Sequence, residues 1–336
     1  MQLQNTMSAI TRAVDAKVGW NRIGIAISLL IIAIAFATLL RLLRDVDFGK
    51  VVLALQATVP HTVLIASVFV AAGYATLTCY DFFALRTIGC RQVPYRIAAL
   101  ASFTSYSIGH NLGATVFTGG LVRFRIYSAW GLGVIDVAKM AFVTGLTFWL
   151  GNAFVLGLSM AYAPEAATAM NQLPIWLNRA IALMGLAAIV GYVLWLLPQP
   201  RVVGSGEWQV TLPNAALTFV QIGIGIADLS IGALAMYTLL PAGSAIDFPV
   251  LLVTFVLATL IGFLSHAPGS LGVFDAAMLV GLSQIDKNEL LASLLIFRIL
   301  YFILPFFIAV CILSSRELWM NLSRRRNAKM KALAPP

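Results

Sequence analysis

Charged residues are scarce in this chain. Asp, Glu, Lys and Arg together make up 10% of its 336 residues, whereas 60% are hydrophobic. Soluble domains carry about 25% charged residues, so this composition excludes an ordinary soluble enzyme or binding module. A mean hydropathy of +0.92 points the same way, to a chain whose solvent is mostly lipid. Acids are fewer than bases, and the formal net charge is +9. Most of the Lys and Arg residues sit in short loops and in the tail, which is the pattern of cytoplasmic loops facing anionic headgroups, so no nucleic-acid partner is expected. Only three cysteines occur, Cys79, Cys90 and Cys311, with no CxxC and no Cys/His ligand spacing. That excludes a disulfide framework and gives no metal site, and no cofactor is expected. GxSxG, HExxH, P-loop and Rossmann patterns are also missing. No catalytic residues are therefore assigned, and ATP hydrolysis by this chain is not expected.

What the chain has in quantity is apolar runs. Stretches near 23–40, 62–84, 134–158, 179–197, 214–240 and 290–313 meet the roughly 20-residue requirement for crossing a bilayer. Two more, about 97–120 and 249–282, are interrupted by Gly, Pro and His. The reading is an all-α polytopic membrane protein with about six full transmembrane helices plus two re-entrant broken helical hairpins. Residues 1–22 form a polar N-terminal segment, 23–313 the integral membrane domain and 314–336 a basic tail. The run at 23–40 is too long for a signal-peptide core and reads as a retained first span. Arg12, Lys17 and Arg22, then Arg86, Arg91, Arg96, Arg123 and Arg125, then Arg316, Arg324, Arg325, Arg326, Lys329 and Lys331 all fall on one side of this topology. The positive-inside rule makes that side the cytoplasm, with both termini there. The segment 41–61 runs against the rule, with Arg41, Arg44 and Lys50 offset by Asp45 and Asp47.

The interrupted stretches resemble each other. Leu100 to Gly113 reads LASFTSYSIGHNLG and Leu257 to Gly269 reads LATLIGFLSHAPG; each runs from Leu-Ala-Ser/Thr to His-x-x-Gly. In the topology above they dip in from opposite sides, as in transporters built from inverted repeats with broken helices. In the first, Gly109 and Gly113 are the expected break around His110 and Asn111. In the second, Pro268 and Gly269 are the break beside His266, and a half-helix is expected to start near Ser270 with its free N–H groups turned to an anion. The plain alternative is a loop with a satisfied histidine.

Asp228 lies mid-span, where an acid needs a partner or water. Thr218, Gln221, Gly225, Asp228 and Gly232 form one polar, small-residue stripe, either a site or a helix–helix seam. Arg298 sits inside the last span ahead of Pro305. It can pair with Asp228 or Asp275, hold a lipid phosphate, or snorkel to the surface. Asp136 and Lys139 read as a local i,i+3 pair. Arg123 and Arg125 read as peripheral anchors touching lipid phosphates.

GHNLGATVFTGGLVRFRIYSAWGL, DVAKMAFVTGLTFWLGN and GFLSHAPGSLGVFDAAML resemble the transmembrane region of bacterial lysylphosphatidylglycerol synthases, the multiple peptide resistance factor family. The resemblance runs over most of the chain and implies residence in the bacterial cytoplasmic membrane and a flippase-like domain for phosphatidylglycerol-type lipid, aminoacylated or not. Bifunctional members add a C-terminal transferase domain; ending at Pro336, this sequence is expected to lack it and its chemistry. On that reading His110, Asn111, His266, Ser270 and Arg298 hold the headgroup phosphate side, and Asp228 and Asp275 receive a cationic aminoacyl group. Membrane phospholipids are the expected partners. A separately encoded transferase and a homo-oligomer stay open, and with them a lipid-presenting subunit or a residual lipid-modifying enzyme as the alternative function.

Overall fold

The computed structural model of the chain describes Leu53, Gln56 and residues 58–113, 115–197, 201–241, 243–265 and 267–333. The expected first span at 23–40 and His266 lie outside the described residues. The apolar runs become helices because a segment in hydrocarbon must satisfy every backbone group internally. In chain order they are α1 (Pro60–Thr87), α2 (Tyr95–Leu112), α3 (Thr115–Tyr127), α4 (Val134–Tyr162), the short α5 (Pro164–Asn171) and α6 (Ile175–Leu196). A two-residue hairpin, β1 (Val202–Val203) against β2 (Val210–Thr211), joins α6 to α7 (Ala215–Leu239). Then come α8 (Phe248–Ser265), α9 (Val273–Gly281), α10 (Lys287–Arg298), a π-helical turn (Ile299–Ile303) and α11 (Leu304–Leu333).

Among the described residues, six segments are long and apolar enough to cross a membrane: α1, α4, α6, α7, α8 and the continuous Lys287–Met320. Each interrupted stretch folds into two helices packed on one another, α2 with α3 and α8 with α9. Both first arms are 18 residues long, and the repeated His-x-x-Gly motif sits at the end of each. The α2–α3 break is at Gly113, whose φ of 75° favours glycine. Gly109 serves the same corner by closeness: a Cβ there would meet the Thr115 side chain at 2.9 Å.

One sequence detail changes in the second break. Pro268–Ser270 is a single 3₁₀ turn, and the half-helix starts three residues later than expected, at Val273. Gly269 and Ser270 both have positive φ, which turns the chain before a helix can form. The N–H at the new start is already satisfied, because Gly272 donates to Asp275 Oδ2 at 3.1 Å.

α7 is the central post, packed on α1 and α4. Its contact with α4 is backbone to backbone, since a Cβ on Gly151 would stand 2.5 Å from Gly225 Cα. Gln221 Nε2 donates to Thr147 Oγ1 across that seam at 2.9 Å. The N-terminal part of the polar stripe is thus helix packing, in keeping with the small-residue interfaces of membrane helices.

Pro305 shapes the last span. It has no N–H for the Tyr301 carbonyl four residues earlier, and the turn before it widens to a π-helix. The Tyr301 carbonyl instead accepts from Tyr74 Oη at 3.0 Å, and the next carbonyl, Phe302, accepts from Asn111 Nδ2 at 3.1 Å. The irregular turn is therefore tied to α1 and α2.

Candidate functional site

The two broken hairpins meet: α2 packs against the 268–270 turn. Between them, lined also by α1, α7 and the π-helical turn, is a cavity of about 270 Å³. α4 and α8 form its side walls, through Ala141, Thr144, Gly145, Phe148 and Trp149, and through Phe255, Thr259, Gly262 and Phe263. Both sets recur at helical spacing, so each helix gives one face.

Two charged side chains, Arg123 and Asp228, stand on the cavity wall among tyrosine, threonine and serine hydroxyls and His110. Arg123 reaches it from α3, Asp228 from α7, and His110 with Tyr106 from α2. Asp228 accepts from Tyr80 Oη at 3.1 Å and makes no ion pair among the described residues. Arg123 is held by Asp81, an acid with no exposed surface: Nε and Nη2 donate to its carboxylate at 2.9 and 2.7 Å. Tyr127 Oη donates to the same carboxylate at 2.9 Å. The guanidinium lies 4.6 Å from the Tyr106 ring centroid, a cation–π contact, and Nη1 is left outside the Asp81 fork. Gly119 leaves room for it, because a Cβ there would stand 3.3 Å from Nη1. The wall thus offers one fixed cation, tethered from behind, and one carboxylate with a tyrosine partner, both in an aromatic enclosure of low dielectric.

The structure sorts the sequence-derived residues. His110, Asp228 and Ser270 line the cavity, with Ser270 packed against Gly262. Asn111, Asp275 and Arg298 are not on its wall. Asn111 is fully buried and donates to the Ser107 and Phe302 carbonyls. Arg298 pairs with Asp275 at 2.5 Å rather than with Asp228, and donates to the Gly269 carbonyl at 3.1 Å. Those two charges join the second hairpin to the last span outside the lining of this cavity, and Asp275 keeps 23% of its side chain exposed. Arg123 is not peripheral, because its burial against Asp81 takes it out of reach of bulk headgroups. Arg125 is partly buried and pairs with Glu317 at 2.7 Å, which ties the end of the first hairpin to the middle of α11. Asp136 caps its own helix by accepting from Gly133 N–H at 2.8 Å, and no ion pair joins it to Lys139 among the described residues.

Asp81 and Tyr80 escaped the sequence reading. The signal was present, since Asp81 is an acid inside the run 62–84, open to the same argument as Asp228. Among the described residues no three His, Cys, Asp or Glu side chains converge as a metal site would require. Cys90, in the turn between α1 and α2, has its thiol pushed up by burial and by the Asp136 carboxylate, away from reactive thiolate.

No family model matches the chain. It is similar to a Synechocystis sp. protein named only as uncharacterized protein slr0712, 27% identical over 285 residues, 84% of this chain and 88% of that one. It is similar to the inner membrane protein YbhN of Escherichia coli, 24% identical over 299 residues, 85% of this chain and 90% of YbhN. A third relative is the phosphatidylglycerol lysyltransferase of Bacillus subtilis, 24% identical over 265 residues; the match takes in 68% of this chain but 29% of that longer protein. With its apolar spanning helices, the chain is a homologue of YbhN-like inner membrane proteins and of the N-terminal parts of phosphatidylglycerol lysyltransferases.

Proposed function

We propose that this protein is a phospholipid translocase of the bacterial cytoplasmic membrane, acting on lipids of phosphatidylglycerol type, aminoacylated or not. The observation that carries the reading is the cavity where the two broken hairpins meet, with Arg123 and Asp228 on its wall. At about 270 Å³ it is smaller than most drug-sized pockets, so it takes a headgroup and leaves acyl chains outside. Arg123 Nη1 and His110 bind the phosphate. Asp228, with Tyr80, receives an ammonium when the lipid carries one. Only the headgroup then has to cross the low-dielectric core, and rocking of the two hairpin-bearing halves alternates access. On this reading both termini lie in the cytoplasm, as the distribution of Lys and Arg favours; the Arg125–Glu317 tie puts the end of the first hairpin and the start of the tail together.

A second reading, a subunit that presents lipid to a separately encoded transferase, draws support from the lysyltransferase relative, which is much longer than the stretch it shares. The two separate in cells by labelling outer-leaflet phosphatidylglycerol and its lysyl derivative with impermeant reagents. Translocation requires that Asp228→Asn lower outer-leaflet lysyl lipid, and Arg123→Gln both lipids, each measured per folded protein in the membrane. Unchanged exposure in both variants, with a transferase co-purifying, favours the presenting subunit.

A further inference from the structure

The cavity has a side that its polar wall does not explain. At one edge its lining is apolar and open: Phe117 is 78% exposed, Val116 56% and Trp149 47%. Phe263 completes that edge, its ring 5.5 Å from Phe148 and 6.5 Å from Trp149. The opening lies between the first turn of α3 and the α4–α8 wall. Trp149 comes about 15 residues into α4, roughly 22 Å along a helix that continues to Tyr162. The mouth is therefore half-way along a spanning helix, at the depth of acyl chains and far from both aqueous faces. A soluble solute has no route to a mouth at that depth.

The chemistry changes inward from this mouth. On α3, Phe117 and Arg123 are six residues apart, about 9 Å of helix, and the wall passes from apolar to cationic over that length. Gly145 stands on the α4 wall between Thr144 and Phe148, and a Cβ added there meets nothing within 4 Å. The space beside it belongs to the cavity rather than to helix packing.

We infer that the gap edged by Phe117, Trp149 and Phe263 is a lateral slot through which the acyl chains of the bound phospholipid stay in the bilayer while its headgroup occupies the cavity. This rests on the translocase reading in one respect, that the occupant is a phospholipid. It adds which edge of the molecule the lipid uses, and it makes Gly145 the residue that keeps the passage clear. A Cβ at Gly145 meets no neighbour, so Gly145→Leu extends its side chain from the cavity wall into the passage, whereas Gly223→Leu, also in open space at its Cβ but off the cavity, is the control.

The test uses the full chain in phosphatidylglycerol vesicles doped with a diacyl phosphatidylglycerol carrying a mid-chain diazirine. Labelled positions are mapped after irradiation, and leaflet movement is measured in parallel. Tail labelling at Phe117 and Trp149 should exceed that at Phe219, an exposed α7 residue off the cavity. The excess should fall about tenfold in Gly145→Leu, stay within about twofold in Gly145→Ala, and persist in Gly223→Leu. Equal labelling at the three positions, or an excess that Gly145→Leu leaves intact, overturns the slot. Because labelling reads occupancy and not transport, an enriched slot without leaflet movement sinks the translocase reading alone. Movement with evenly spread labelling sinks the slot alone.

Discussion

Replacing Asp81 tests the internal scaffold of the cavity most sharply. The carboxylate has no exposed surface and accepts from Arg123 Nε, Arg123 Nη2 and Tyr127 Oη. Asp81→Asn keeps the shape but removes the charge and turns an amide NH₂ toward a guanidinium or a hydroxyl, leaving a buried cation uncompensated. Breaking one side of such a pair costs about 3–5 kcal/mol, far above the ~0–1 kcal/mol of an exposed ion pair. Arg123→Met should cost a similar amount by stranding the carboxylate. The double replacement Asp81→Asn with Arg123→Met removes both charges together and should cost less than the sum of the single replacements by on the order of 2 kcal/mol or more. Equilibrium unfolding in mixed micelles, followed by tryptophan fluorescence, gives all the required differences. Single variants within ~0.5 kcal/mol of the parent, or strict additivity, would refute the buried-pair argument. A sharper consequence concerns function: the double variant should recover stability yet lose the proposed phosphate contact, because the cation at the cavity wall is gone.

Other consequences follow from close contacts. Gly151→Val places a side chain where the α7 backbone passes and should destabilise by about 1–3 kcal/mol, with Gly223→Val near neutral in the same assay. Gly113→Ala forces a Cβ into a positive-φ corner and should cost about 1–3 kcal/mol, read as a lowered melting temperature. Tyr74→Phe removes the hydroxyl that donates to the Tyr301 carbonyl, which Pro305 cannot replace, and should cost about 0.5–1.5 kcal/mol; adding Pro305→Ala supplies an N–H four residues on and should return part of that loss.

Much of the architecture was legible because lipid leaves few options. Apolar runs of spanning length could only become helices, and glycine, proline and histidine inside two of them could only mark breaks. The likeness of the two broken stretches also carried through to equal 18-residue first arms. Site assignment was harder, since a sequence shows which polar residues are buried but not which of them satisfy each other. Arg298 and Asp275 read as ligands and instead neutralise one another. Asn111 read as a binder and is occupied by a carbonyl that Pro305 and the π-helical turn leave available. Arg123 read as a surface anchor because positive residues near helix ends usually are; its partner Asp81 is 42 positions away, and only the fold brings them together. Asp228 lines the cavity, while Gln221 and Gly225 of the same stripe pack against α4 and Thr218 donates to the Asn214 carbonyl at the start of its own helix.

The central claim is that the Arg123–Asp228 cavity carries a phospholipid headgroup between leaflets. Purified protein in liposomes, with labelled phosphatidylglycerol or its lysyl derivative scored by an impermeant quencher, tests it directly. The account predicts rapid loss of protected lipid with the unmodified chain, abolished by Asp228→Asn for the lysyl lipid and by Arg123→Gln for both. Protected lipid that persists with the unmodified chain, or movement that both variants leave at full rate, would contradict it.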